Sequence, residues 1–169
     1  MFDALADAAL AALLRYGLPA LFCLFVAKGA IIGKPVPTSV ALPGFLLATG
    51  ADRTGAVVAI LVASVGYTAG QLVVFRLSEQ YGLEAVQSIP YVAVSEAELA
   101  RADRLFTKYA GTAIVVTNLL PYLGSFVMIP AGISAYSISR AALFAFVSTV
   151  ANYVLIVAIV VWSVDFFFV

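Results

Sequence analysis

Five apolar stretches run along the chain, separated by short polar or charged breaks. The first covers residues 8–32 and is interrupted by Arg15 and Lys28. Its uncharged centre, Tyr16 to Ala27, is too short to cross a bilayer alone, but both cations can snorkel toward headgroups and lengthen it. Gly17, Leu18 and Pro19 predict a break, with a short amphipathic helix before it and a membrane helix after it. The second stretch, Pro35 to Gly50, holds Pro35, Pro37, Pro43, Gly44 and Gly50. Proline removes amide donors and turns the preceding residue away from helix. A broken or re-entrant hairpin therefore fits better than one straight helix. The third stretch, Gly55 to Phe75, is uncharged between Arg53 and Arg76. At 1.5 Å per residue it reaches roughly 31 Å, about one hydrocarbon core, and predicts a spanning helix. Gly66, Ala69 and Gly70 give it a small face for close helix contact, which also permits a homo-oligomer.

Residues 78–108 form the one polar region. Ser95 with Glu98 predicts a capping box, opening an amphipathic helix that stops at Gly111. The fourth stretch is uncharged from Tyr109 to Ser139 and is broken by Pro121, Gly124, Pro130 and Gly132. The last, Ala141 to Val164, is long enough to span and runs into Trp162, Asp165 and three phenylalanines, which suits an interfacial aromatic belt. Arg76, Arg101, Arg104 and Lys108 place the central polar loop on the cytoplasmic side by the positive-inside rule.

Composition then narrows the class. Of 169 residues, 64% are hydrophobic and 11% charged, and the mean hydropathy is +1.10. Soluble domains carry about 25% charged residues. The bilayer is the natural solvent for the excess apolar surface. Net charge is zero, which argues against a nucleic-acid partner. The chain has no histidine, so histidine triads and most zinc sites are excluded. Cys23 stands alone and reads as a small buried hydrophobe. No pair of carboxylates lies within an apolar stretch, and nothing calls for a cofactor, a metal or enzymatic chemistry. Asp3 and Asp7 precede the first basic residue, Arg15, unlike a cleaved signal peptide, so the first apolar segment is expected to stay.

The two broken stretches resemble each other. TSVALPG, Thr38 to Gly44, aligns with SFVMIPAG, Ser125 to Gly132, and each has proline upstream. Paired, interrupted segments in two halves point to a transporter-like site, because half-helix ends expose backbone groups that bind ions or headgroups. The expected fold is all-α: a polytopic helical membrane protein with two re-entrant (broken) helical hairpins in an inverted-repeat arrangement. One membrane domain, 1–169, would comprise a first half at 1–77 with a hairpin at 35–50, an amphipathic linker at 78–110, and a second half at 111–169 with a hairpin at 112–135.

The motifs PVPTS (Pro35 to Ser39), GYTAGQ (Gly66 to Gln71) and LLPYLGSFVMIPAG (Leu119 to Gly132) resemble the DedA family, within the VTT (SNARE-associated) superfamily of membrane proteins. The family commonly has glutamate where this chain has Ser39, glycine–aspartate where it has Gly70–Gln71, and tyrosine where it has Phe75. It commonly has arginines where this chain has Asn118 and Gly124. The resemblance implies lipid translocation or scrambling at the cell membrane, with phospholipid or polyprenyl phosphate as partner. The missing charges argue against a proton-driven form.

The candidate substrate path is Lys34, Pro35, Pro37, Thr38, Ser39, Gln71, Asn118, Pro121, Gly124, Ser125, Pro130 and Gly132. Lys34, with Lys28, either draws an anionic lipid phosphate or snorkels at a helix end. Asn118 and Gln71 either line a polar path or form interhelical hydrogen bonds. Thr38, Ser39 and Ser125 either join that path or satisfy carbonyls freed by the prolines. Asn152 reads as structural. Three functions stay open. A lipid translocase predicts a groove open to the bilayer, and a proton-coupled small-solute or drug exporter predicts a closed cavity. A non-transporting assembly protein predicts a dry centre with Asn118 and Gln71 fully hydrogen-bonded.

Overall fold

The computed structural model describes residues 11–31, 38–87, 96–120 and 124–168. All regular structure among them is α-helical. Residues 11–16 are helical and end at Gly17, whose φ of 61° is open to glycine at little cost. Helix α1, Leu18–Gly29, follows with proline in its first turn. The break expected at Gly17 is therefore present. Helix α2 is Thr38–Thr49, α3 is Arg53–Gln87, α4 is Glu96–Tyr109, α5 is Gly111–Leu119, α6 is Met128–Ile133 and α7 is Ile138–Phe168.

Two helices are long and apolar enough to cross a membrane, Arg53–Gly82 and Ile138–Val160. α1 and the apolar part of α2 are shorter. Twelve residues of helix rise only about 18 Å, short of the roughly 30 Å hydrocarbon core. Large apolar side chains stay exposed on both long helices, among them Val57, Leu61, Val65 and Val73 on α3 and Leu143, Val147, Leu155 and Ile159 on α7. Such contiguous apolar exposure suits lipid better than water.

Three boundaries differ from expectation. α3 runs past Arg76 to Gln87, with a kink at Gly82. Arg76 marks a membrane edge and not a helix end, and its guanidinium pairs with Glu79 at 2.6 Å, one turn on. The helix after the polar region stops at Tyr109, with Ala110 at φ 46°, and Gly111 opens the next helix instead of ending this one. Gly111 serves packing: a Cβ there would strike the Tyr136 hydroxyl and meet the Phe144 ring at 2.7 Å. The expected cap, Ser95, lies outside the described residues. Finally, α2 passes through Pro43 without a turn, so the described part of the second stretch is one helix. The fourth stretch does break, between Leu119 and Met128.

Glycine sets the packing on α3. Gly66 and Gly70 receive α1: a Cβ on Gly66 would lie 2.7 Å from the Phe22 carbonyl oxygen, and one on Gly70 would lie 2.6 Å from the Ala30 amide nitrogen. Later residues of α1 meet later residues of α3, so the two run parallel. Gly29 returns the contact, its α-carbon pressed on the Tyr67 carbonyl. Further along α3, Gly132 of α6 sits against the Phe75 carbonyl and the Glu79 amide. Gly44, its counterpart in the repeat alignment, has open space where a Cβ would be. The two glycines thus do not share a packing role. In lipid, van der Waals contact drives such packing, because hydrocarbon competes equally for apolar surface.

Two apolar clusters result. One joins Val74 and Phe75 of α3 to Ala141 and Ala145 of α7, with α5 and α6. The other joins Ala59, Ile60 and Ala63 of α3 to Tyr153 of α7, with α1 and α2. α3 and α7 therefore run antiparallel, and α2 packs against both. Between the clusters lies a belt of polar side chains.

Candidate functional site

The polar belt centres on Gln71, which is fully buried. Its Nε2 donates both hydrogens, to Asn118 Oδ1 at 2.8 Å and to the Gly124 carbonyl at 2.7 Å. Asn118 Nδ2 in turn donates to Ser148 Oγ at 2.9 Å, with longer contacts to the Ala145 carbonyl and Thr149 Oγ1. Asn152 Nδ2 donates to the Asn118 carbonyl at 3.0 Å. That carbonyl lies near the end of α5, where no helical amide follows to take it. Ser125 Oγ donates to the Tyr67 hydroxyl at 3.2 Å. One relay thus ties α3, α5, the 124–127 turn and α7.

Gly124 permits this closure. A Cβ there would strike Asn118 Oδ1 and lie 3.1 Å from the Tyr67 hydroxyl. The amide–amide contact needs a residue without a side chain.

Four buried polar atoms near the relay have no hydrogen-bond partner: Ser64 Oγ, Thr68 Oγ1, Gln71 Oε1 and Tyr153 Oη. Ser64, Thr68 and Gln71 stand at i, i+4 and i+7, which is one face of α3. Tyr153 reaches the same region from α7. Its ring lies edge-on to Phe25 at 5.3 Å and to Tyr67 at 6.1 Å between centroids. An unpartnered buried polar group costs about 1–3 kcal/mol. Four together are a large charge against a chain of this size.

Depth adds meaning. The middle of the Arg53–Gly82 span falls at Tyr67 and Thr68, and the middle of Ile138–Val160 falls at Thr149. Both centres lie inside the belt. Polar groups at mid-span are costly, and uncharged ones there either bond between helices or line a polar path. Among the described residues, none of the buried polar or charged ones is Asp, Glu, Lys or Arg. No group of three or more possible metal ligands occurs among the described residues.

Of the residues singled out from sequence, Gln71, Asn118, Gly124 and Ser125 come together in the relay. Pro130 and Gly132 are buried on α6, which packs on α3 two turns beyond Gln71. Gly132 rests on the α3 backbone at Phe75 and Glu79, a scaffold contact. Thr38 and Ser39 start α2, and their side chains are not described. Lys34, Pro35, Pro37 and Pro121 lie outside the described residues. Tyr67, Ser148, Thr149 and Tyr153 join the site without having been foreseen, and so do Ser64 and Thr68. The spacing of Ser64, Thr68 and Gln71 was a readable signal. Tyr153 gave none, because an aromatic in an apolar helix is ordinarily packing. Asn152, read as structural, does cap a carbonyl.

A family model for the VTT domain matches residues 36–161, most of the chain. The chain belongs to the VTT-domain family. This is the DedA family domain, a membrane-associated and generally transporter-type family. The match starts just before α2 and ends within α7, so it covers the whole polar relay. No curated protein and no solved structure matches the chain.

Proposed function

We propose that this VTT-domain protein is a multi-pass protein of the cell membrane that moves lipid headgroups between leaflets. The path is the seam where α2 covers the antiparallel pair α3 and α7. The observation that carries this reading is the uncharged polar belt, with unpartnered atoms, at the middle of both spanning helices. A belt serving assembly alone has every group paired, as Asn118 is. Gln71 Oε1 and three hydroxyls are not paired, so the closed seam is penalised until something polar enters. Gln71 is 0% and Asn118 5% exposed, so the belt opens no groove to the bilayer here, and on this reading the path is closed. Pro43 favours α2 as the moving part. It leaves the Ser39 carbonyl without its helical donor, and α2 touches α3 and α7 far less than α1 touches α3. In the proposed arrangement α2 and the α5–α6 pair act as the two re-entrant elements of an inverted repeat. Phospholipid or polyprenyl phosphate is the proposed cargo.

Among the described residues the polar belt holds no Asp, Glu, Lys or Arg, which favours passive exchange over proton coupling. A small-solute exporter is the second reading, favoured by the enclosed position of the belt. One vesicle experiment separates the two. Fluorescent phospholipid reports leaflet exchange, and a trapped soluble dye reports solute escape. Lipid exchange with dye retained supports the translocase. Dye escape without lipid exchange replaces it with the exporter.

A further inference from the structure

We propose that Ser64, Thr68, Gln71 and Tyr153 form a subsite for an uncharged, hydroxyl-bearing group. The argument starts from what each atom still needs. Both amide hydrogens of Gln71 are already donated, to Asn118 and Gly124, so its free Oε1 can only accept. The hydroxyls of Ser64, Thr68 and Tyr153 can each donate and accept, and none has a partner. A ligand that completes this set brings at least one hydrogen to Oε1 and exchanges hydrogens with the hydroxyls. Adjacent hydroxyls on a sugar or glycerol do both.

Other headgroup chemistries fit worse. An ionised phosphate can accept from the three hydroxyls but brings no hydrogen to Gln71 Oε1, so the phosphate of a phospholipid or polyprenyl phosphate cargo would not complete this set. A quaternary ammonium has no hydrogen to give. A primary ammonium has hydrogens, but among the described residues no buried carboxylate would compensate its charge. The site's neutrality is thus selective. The three α3 positions lie on one face over two turns, and Tyr153 of α7 packs its ring on Tyr67 of the same helix, between Ser64 and Gln71 in sequence. Opening the α3–α7 seam would uncover them together.

The subsite rests on the translocation reading only for its source: the hydroxyls would arrive on a glycolipid headgroup. A free sugar carries the same chemistry. The test uses the full-length protein purified in mild detergent. Matched-chain monogalactosyl diacylglycerol and phosphatidylcholine are added in equal amounts, and retained lipid is read by native mass spectrometry. The galactolipid should be retained over the choline lipid by about tenfold, the size that one well-made hydrogen bond to a buried site supports. The preference should fall toward parity in S64A/T68V/Y153F. That variant's melting temperature should not drop, because the three hydroxyls removed are unpartnered. Should the triple variant not fold, Tyr153→Phe alone decides, since it deletes one oxygen from a ring held by Phe25 and Tyr67.

Parity in the wild type, or a preference that survives in a folded variant, overturns the subsite. Displacement of galactolipid by free galactose supports it and extends it to soluble sugars, whereas retention against free galactose supports it as a lipid site. Leaflet exchange is measured separately. Preference without exchange sinks the translocation reading and leaves the subsite standing.

Discussion

The hydrogen bond between Gln71 and Asn118 is the strongest handle on the relay. Asn118→Leu removes the acceptor 2.8 Å from Gln71 Nε2 and the donor 2.9 Å from Ser148 Oγ. It leaves one Gln71 hydrogen buried and unpartnered, while Ser148 keeps its bond to the Phe144 carbonyl. Two neutral bonds at about 1 kcal/mol each, plus about 1 kcal/mol for the stranded hydrogen, give a loss of about 3 kcal/mol. Gln71→Met is milder. It also breaks the bond to Gly124, but it removes the unpartnered Oε1, so about 1–2 kcal/mol is expected. In the double variant the shared bond is lost only once and nothing is stranded at Gln71. Bonds of this type in membrane proteins couple by about 0.6 kcal/mol on average and up to about 1.7 kcal/mol. Here both partners are buried, with neither water nor lipid as a substitute, so the coupling should lie near the top, about 1.5 kcal/mol. The assay is unfolding free energy from titration of mixed micelles with dodecyl sulfate, for wild type, both singles and the double. Additivity within about 0.5 kcal/mol would refute the relay, because independent sites add to that tolerance.

Other outcomes follow from packing and exposure. Gly70→Ala and Gly132→Ala each push a methyl into a neighbouring helix backbone and should cost about 1–3 kcal/mol. Gly44→Ala meets open space inside a helix, so it should be neutral or stabilise by up to about 1 kcal/mol in the same titration. Equal effects at Gly44 and Gly132 would contradict the packing described here. Cys23 is exposed on α1, where the expectation from sequence was burial. In a bilayer its thiol faces lipid and should react slowly with maleimide, then fully after solubilisation in dodecyl sulfate. Fast labelling in sealed vesicles would place that face of α1 in water.

Much of this fold was legible in the sequence because the bilayer restricts the choices. An uncharged run bounded by Arg53 and Arg76 has to cross as helix, and the break at Gly17 follows from Gly-Leu-Pro chemistry. Gln71 and Asn118 stood out because amides in apolar runs are rare and expensive. Their pairing was one of two readings, and sequence spacing could not choose between them. The path of α2 through Pro43 was not legible, since proline lowers helix stability without fixing where the chain turns. The extension of α3 to Gln87 was missed because charge marks a membrane edge and not a helix end. The spacing of the hydroxyl row on α3 was readable, but its lack of partners was not. A serine or threonine in a membrane helix usually bonds its own helix, as Ser78 and Thr117 do here. Only the three-dimensional accounting shows that Ser64 and Thr68 do not.

The central claim is that lipid passes the α3–α7 seam beside the polar relay, and leaflet exchange in reconstituted vesicles tests it most directly. Fluorescent phospholipid is placed in both leaflets and bleached from outside, with wild type and Gly124→Val compared at equal folded protein. Gly124→Val would drive a side chain against Asn118 and Tyr67. The account predicts bleaching well beyond the outer half for wild type and slowed exchange for the variant. Bleaching that stops at the outer half in folded wild-type protein would contradict it.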